Sequence, residues 1–159
     1  MRLRSVPPLP PPFPTATLRA LVDRLIPADD FPGALATGVD RYARLHMENT
    51  AATESALLIA GLHQLDRETA ERHDTSFAAL DELGQDALLT ELEKGRTATA
   101  WPEGVVPAAF FARMVDLAHE GFYADATNGG NRDEASWKMI GYDPRIPSDH
   151  VPPEPESHD

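Results

Sequence analysis

The residues of this 159-residue chain best suited to hold a metal or move a proton are its six histidines, His46, His63, His73, His119, His150 and His158. Only His119 begins a pattern with chemical meaning. His119-Glu120 opens like the HExxH pair of zinc hydrolases, but the position four residues on is Tyr123, so the second ligand is missing. Asp116-x-x-His119 supplies one acid–histidine pair. A carboxylate-bridged centre in a helical bundle needs Glu-x-x-His pairs on two helices, and His46 and His63 lack that spacing. The run Asp125-Ala-Thr127-Asn128-Gly129-Gly130-Asn131 invites comparison with a calcium loop. Asp125, Thr127 and Gly130 fit positions 1, 3 and 6, yet position 12 falls on Ser136 where a bidentate Glu is required. Gly129-Gly130 follows no strand, so it is not a dinucleotide fingerprint. There is no GxSxG elbow and no cysteine. The acidic pairs Asp29/Asp30 and Asp133/Glu134 read as a solvated face in so acidic a chain. The expectation is a chain with no catalytic, cofactor or metal residues. Its enzymatic alternative is a stand-alone metal-binding or small helical enzyme using His119, Glu120 and Asp125.

Aromatic residues carry a different signal. Trp101, Phe122, Tyr123 and Trp137 are types that either fill a core or anchor a partner. Three of them lie in His119–Asp143, the densest stretch of unusual residues. That stretch is expected to form a self-capped turn pinned by Phe122, Tyr123 and Trp137. Its Asn and Asp side chains would bond the turn's own backbone, and its paired glycines would allow close packing.

The elements that must position these residues are helices. Leu18, Leu21, Val22, Leu25 and Ile26 repeat at helical spacing until Pro27, with Thr15 and Thr17 as candidate caps. Asp29 and Asp30 are candidate caps for a second helix, Ala34 to about Asn49, with Leu35, Val39, Tyr42 and Leu45 or His46 inward. A third runs from about Thr53 to His73 on a Leu57, Leu58, Gly61, Leu62, Leu65 face. Gly61 inside it costs about 1 kcal/mol and calls for a close helix contact. Asp81 reads as the cap of a fourth helix, with Leu83, Ala87, Leu88 and Leu92 on one side and Lys94-Gly95 as its stop. Pro107 suits the start of a fifth, with Phe110, Phe111, Met114, Val115 and Ala118 inward, ended by Gly121. No alternating strand pattern is present. The chain reads as all-α: a single small domain of about five or six helices over residues 15–142. A proline-rich arm (1–14) precedes it and an acidic, proline-rich tail (143–159) follows. The spacing Arg4-x-x-Pro7-x-x-Pro10 allows a second alternative, an interaction module that offers the arm to an aromatic groove.

Composition bounds the partners. Fourteen basic and 26 acidic residues give a net charge of −12. This argues against a nucleic-acid backbone or an anionic membrane surface. The absence of cysteine excludes disulfides, iron–sulfur clusters and thiolate zinc sites. No apolar run approaches the ~20 residues needed to cross a bilayer, so direct membrane insertion is not expected.

Two long motifs resemble the gluconate 2-dehydrogenase subunit 3 family. LRALVDRLIPADDFPGALATGV is similar to that family's first helix, its Ile-Pro-acidic turn and its next helix. FFARMVDLAHEGFYADATNGGNRDEASWKMIGYDP is similar to its C-terminal motif, and FAALDELGQDALLTELEKG fits its middle helices. Together they span residues 17–144. The resemblance implies a non-catalytic small subunit that binds a large FAD-dependent sugar or polyol dehydrogenase of the glucose–methanol–choline (GMC) type and supports its maturation or stability. FAD would sit on that partner, and a cytochrome c subunit often takes the electrons. The expected partner-binding set is Trp101, Phe122, Tyr123, Asp125, Gly129, Gly130, Asn131 and Trp137. The resemblance also implies a periplasmic or membrane-associated complex reached through a twin-arginine signal. Residues 1–14 depart from that pattern, with Arg2 and Arg4 not adjacent and prolines in place of an apolar core, so a cytoplasmic location stays open.

Overall fold

The structure is a computed structural model that describes residues 11–145. Those residues form seven α-helices and three 3-10 turns, and contain no strand. The helices are α1 (Thr15–Leu25), α2 (Ala34–Thr37), α3 (Val39–Asn49), α4 (Ala52–His73), α5 (Glu82–Glu93), α6 (Pro107–Tyr123) and α7 (Ala135–Ile140). The all-α expectation holds. The helix count rises because Gly38 splits the second helix: its φ of 81° is a left-handed turn between α2 and α3. A side chain at Gly38 would also meet the Gly129 carbonyl at 2.8 Å. The arm motif Arg4-x-x-Pro7-x-x-Pro10, His150, His158 and most of the acidic tail lie outside the described residues.

Leucine is the commonest core residue, joined by valine, alanine, two methionines and three phenylalanines. From α1 it takes Leu18, Leu21 and Val22, with Leu25 and Ile26 at its margin. From α3 it takes Val39, Ala43 and Met47, while Tyr42, Leu45 and His46 are only half-buried. Leu58, Leu62 and Leu65 enter from α4, and Phe110, Met114, Leu117, Ala118 and Phe122 from α6. Gly61 has the close contact its position demanded: an added Cβ would stand 2.3 Å from the Phe110 ring.

Several local expectations are corrected. Thr15 and Thr17 do not cap α1. Thr17 is buried, and its hydroxyl donates to Asp66 of α4 at 2.5 Å. Asp66 also accepts from the Phe77 amide at 3.0 Å, so one carboxylate ties α1, α4 and the 3-10 turn Phe77–Ala79 together. Asp29 caps no helix; its Oδ1 accepts from the Phe31 amide and closes the 26–34 loop. Leu83 and Ala87 face solvent, Leu83 with 80% of its surface exposed, because Gln85, Leu88, Leu89 and Leu92 are the buried residues of α5. Asp81 caps α5 as expected, accepting from the Gly84 amide at 2.8 Å. Gly121 does not end α6, which runs on to Tyr123.

Candidate functional site

The C-terminal turn is built around Asn131, which is fully buried. Its amide nitrogen donates to the Ala124 carbonyl (2.9 Å). Its side-chain oxygen accepts from the Ser136 amide (2.9 Å) and hydroxyl (2.7 Å), and its backbone amide donates to Gly121 (3.0 Å). Every polar atom of this buried side chain is used. Gly130 lies directly on α6: a Cβ there would stand 2.1 Å from the Gly121 carbonyl oxygen. Gly121 is also tight: a Cβ there would stand 2.8 Å from the Tyr42 ring. Close approach, not helix termination, explains Gly121. The turn is also held to α2, since Arg132 Nη1 donates to the Ala36 carbonyl at 3.3 Å.

Left-handed backbone recurs at Asn131, Asp133 and Glu134. At Asn131 the side-chain network fixes that conformation. Trp137 is half-buried, donates its indole N–H to the Tyr123 carbonyl (3.0 Å) and meets Tyr142 edge-on at 5.3 Å. Phe122 and Tyr123 are edge-to-face at 5.1 Å. Asp125 accepts from the Thr127 amide and hydroxyl, which holds its carboxyl below the usual range. The turn is therefore self-capped, with the aspartate engaged by its own backbone in the way a short Asx turn engages it.

His119, Glu120 and Asp125 do not converge. Glu120 accepts from Arg113 Nη1 at 2.9 Å, Asp125 caps Thr127, and His119 faces a surface recess. Among the described residues, no group of three His, Asp or Glu could hold a metal ion.

That recess is the most informative surface feature. It has a volume of about 570 Å³. One wall is the end of α1 and the loop after it: Leu25, Ile26, Pro27, Asp29, Phe31 and Pro32. The other is His119, Phe122 and Tyr123 of α6 with Met139 of α7. Phe31 and Tyr123 expose 47% and 44% of their surfaces at its edge. The 26–34 loop is closed at its base by Ala34 N–H donating to Ile26 O at 2.8 Å. The recess thus has one wall in each of the two long sequence motifs, which lie about ninety residues apart in the chain. Of the expected partner-binding residues, Phe122 and Tyr123 line it. Asp125, Gly129, Gly130, Asn131 and Trp137 build the turn behind it. Trp101 lies elsewhere, tilted against Phe110 with centroids 5.7 Å apart.

Sequence reasoning missed two polar clusters. Glu68 of α4 is fully buried and accepts from the Ala98 amide, the Thr99 amide (3.0 Å) and hydroxyl (2.5 Å), and Arg72 (2.9 Å). Burial alone would raise its pKa, but these donors together hold it below the ordinary value. Gln64, one turn earlier, donates to Thr99 Oγ1 and to the Ala100 carbonyl. The spacing Gln64, Glu68, Arg72 is a polar i, i+4, i+8 stripe beside an apolar face, and that was the available signal. The second cluster joins three helices. Arg113 donates to Glu54 (3.1 Å) and Glu120 (2.9 Å), and stands 3.1 Å from His46 Nε2. Glu54 also accepts from Thr50 Oγ1 at 2.7 Å. Hydrogen bonds from Thr50, then His46 and Arg113, bring the Glu54 carboxyl down to about 2.

Fold and surface together define a small all-α domain in which the first interhelix loop and the end of α6, with Met139 of α7, flank an aromatic-edged recess. The sequence profile of the gluconate 2-dehydrogenase subunit 3 family matches residues 14–144, and the chain belongs to that family. Its family is thus named for a subunit of a dehydrogenase complex. No curated protein and no solved structure matches the chain.

Proposed function

We propose that this chain is a non-catalytic small subunit that binds a large FAD-dependent sugar or polyol dehydrogenase and supports its maturation or stability. The observation that carries the reading is the recess: two distant motifs meet at an open, aromatic-edged surface, while His119, Glu120 and Asp125 are each turned to a different task. Apolar and aromatic surface left open beside a rigid turn is what a docking subunit needs. FAD and the sugar would both sit on the partner, of the glucose–methanol–choline type, and a cytochrome c subunit would take its electrons. The complex would be periplasmic or membrane-associated. Among the described residues no helix is long and apolar enough to cross a membrane, so any membrane attachment of the complex would come from another segment or subunit.

Co-expression with a large FAD-dependent dehydrogenase subunit of the glucose–methanol–choline type from the same genome tests the proposal. The expected result is co-elution of the two chains and a higher yield of flavin-loaded, active flavoprotein than it gives alone. Two folded proteins that never co-elute, with a flavoprotein equally active by itself, would sink it.

A further inference from the structure

The recess carries information about what it binds. Its lining is mostly apolar, with Asp29, His119 and the Tyr123 hydroxyl as its polar side-chain groups. Asp30 follows on the same exposed loop, and Asp125 stands two residues beyond Tyr123. Among the described residues no Lys or Arg forms an ion pair with Asp29, Asp30 or Asp125. Asp29 keeps one oxygen on the Phe31 amide, which fixes the loop and leaves the carboxylate's charge uncompensated. A largely apolar hollow with the unpaired Asp29 in its lining and Asp30 next to it in the chain, on a chain of net charge −12, is complementary to an apolar anchor flanked by cations.

Resting on the subunit reading above, we propose that the recess receives a surface segment of the flavoprotein in which an aliphatic or aromatic anchor is flanked by Lys or Arg. Phe31 and Tyr123 close on the anchor from the two walls. Asp29 and Asp30 face the flanking cations. The two rings are half exposed in the free chain, so they are available without any opening of the core.

The test uses the co-expressed complex of the full chain. A photo-reactive benzoylphenylalanine is placed at Phe31, the complex is irradiated, and the cross-linked peptide is identified by mass spectrometry. The expected product joins Phe31 to a flavoprotein peptide containing an apolar anchor with Lys or Arg within a few residues. In parallel, Phe31→Ala and Tyr123→Ala should each weaken the complex by about tenfold, the scale of a central aromatic contact. Asp29→Asn with Asp30→Asn should slow association and flatten its salt dependence, since rim charges act mainly on encounter. Asn at position 29 keeps the oxygen that accepts from Phe31, so the loop is preserved. A complex that forms normally but cross-links Phe31 to residues 146–159 of the same chain, to a second copy, or to an acidic flavoprotein segment overturns this assignment and leaves the subunit reading intact. A chain that forms no complex even without substitution overturns both.

Discussion

Two buried polar side chains each pin an irregular segment to the helices, and they do it with opposite chemistry. Glu68 holds residues 98–99 with a carboxylate that only accepts, gathering two backbone amides, a hydroxyl and a guanidinium. Asn131 holds the 124–136 turn with an amide that both donates and accepts. A carboxylate can collect more donors in little space and make charge-assisted bonds roughly twice as strong as neutral ones. The cost is dependence on protonation state, which the amide does not share. The turn behind the recess is held by the pH-indifferent device, and residues 98–99, which do not line it, by the charged one.

The largest expected effect comes from breaking the charged device. Glu68→Ala strands the Ala98 and Thr99 amides and the Arg72 charge, and should cost about 3 kcal/mol of unfolding free energy, read by urea denaturation. A loss below ~1 kcal/mol would mean that water replaces the carboxylate without penalty. Because the recess lies elsewhere, the same substitution should leave affinity for the flavoprotein within about twofold, provided the measurement is made where the variant is folded.

The neutral device is tested next. Gly130→Ala forces a Cβ into the Gly121 carbonyl, so the turn must lift from α6; about 2 kcal/mol is expected, in the range of overpacked sites. Trp137 fluorescence should shift to the red as its indole leaves the Tyr123 carbonyl. Here stability and partner affinity should fall together, because Tyr123 and Met139 lie on either side of the turn and both line the recess. Unchanged affinity with a disrupted turn would separate the turn from the docking surface.

Acid separates the two devices without mutation. The folded-state pKa of Glu68 lies below its ordinary value near 4.5, so the unfolded chain binds the proton more readily. The carboxylate's stabilisation is therefore complete above about 4.5 and is lost as pH falls from there through the depressed folded value. Amide exchange at Ala98 and Thr99, corrected for the intrinsic rate, should accelerate over that interval. Exchange at Asn131 and Ser136 should follow only global unfolding. Parallel loss of protection at all four sites would erase the distinction.

Most of the fold was legible because helix periodicity, Asp81 as a cap, Lys94-Gly95 as a stop and Pro107 as a start are local signals that packing did not override. The turn was legible in outline for the same reason: Asn, Asp and Gly in close succession can satisfy one another. What escaped was long-range. Thr17 looks like a cap until Asp66, 49 residues away, is folded against it. Gly121 looks like a terminator until Gly130 lands on it. Glu68 looks like any solvated acid of a charged helix, since nothing local announces that residues 98–99 will cross it. The recess belongs to this class as well. Its walls were read separately, and only the docking of the 26–34 loop beside the end of α6 joins them.

The smallest effect concerns a third arrangement, charged like the first but left in water. Glu54, Arg113 and Glu120 are partly exposed, with side-chain accessibilities of 37%, 29% and 45%. The Glu54 carboxyl is brought to about 2, chiefly by Thr50, then by His46 and Arg113. By linkage this contributes stability above the ordinary carboxylate value that fades as pH falls from about 4.5 towards about 2. Solvent screening reduces that contribution well below what the shift suggests for a buried group. Salt therefore distinguishes this cluster from Glu68. Raising salt from 50 mM to 1 M shortens the screening length to ~3 Å, so Arg113→Met should be mildly destabilising at low salt and near neutral at high salt. Glu68→Ala should keep most of its cost at both, because its donors are inside. A salt-independent loss for Arg113→Met would make the stem's packing across α3, α4 and α6, and not its charge, the source of the effect.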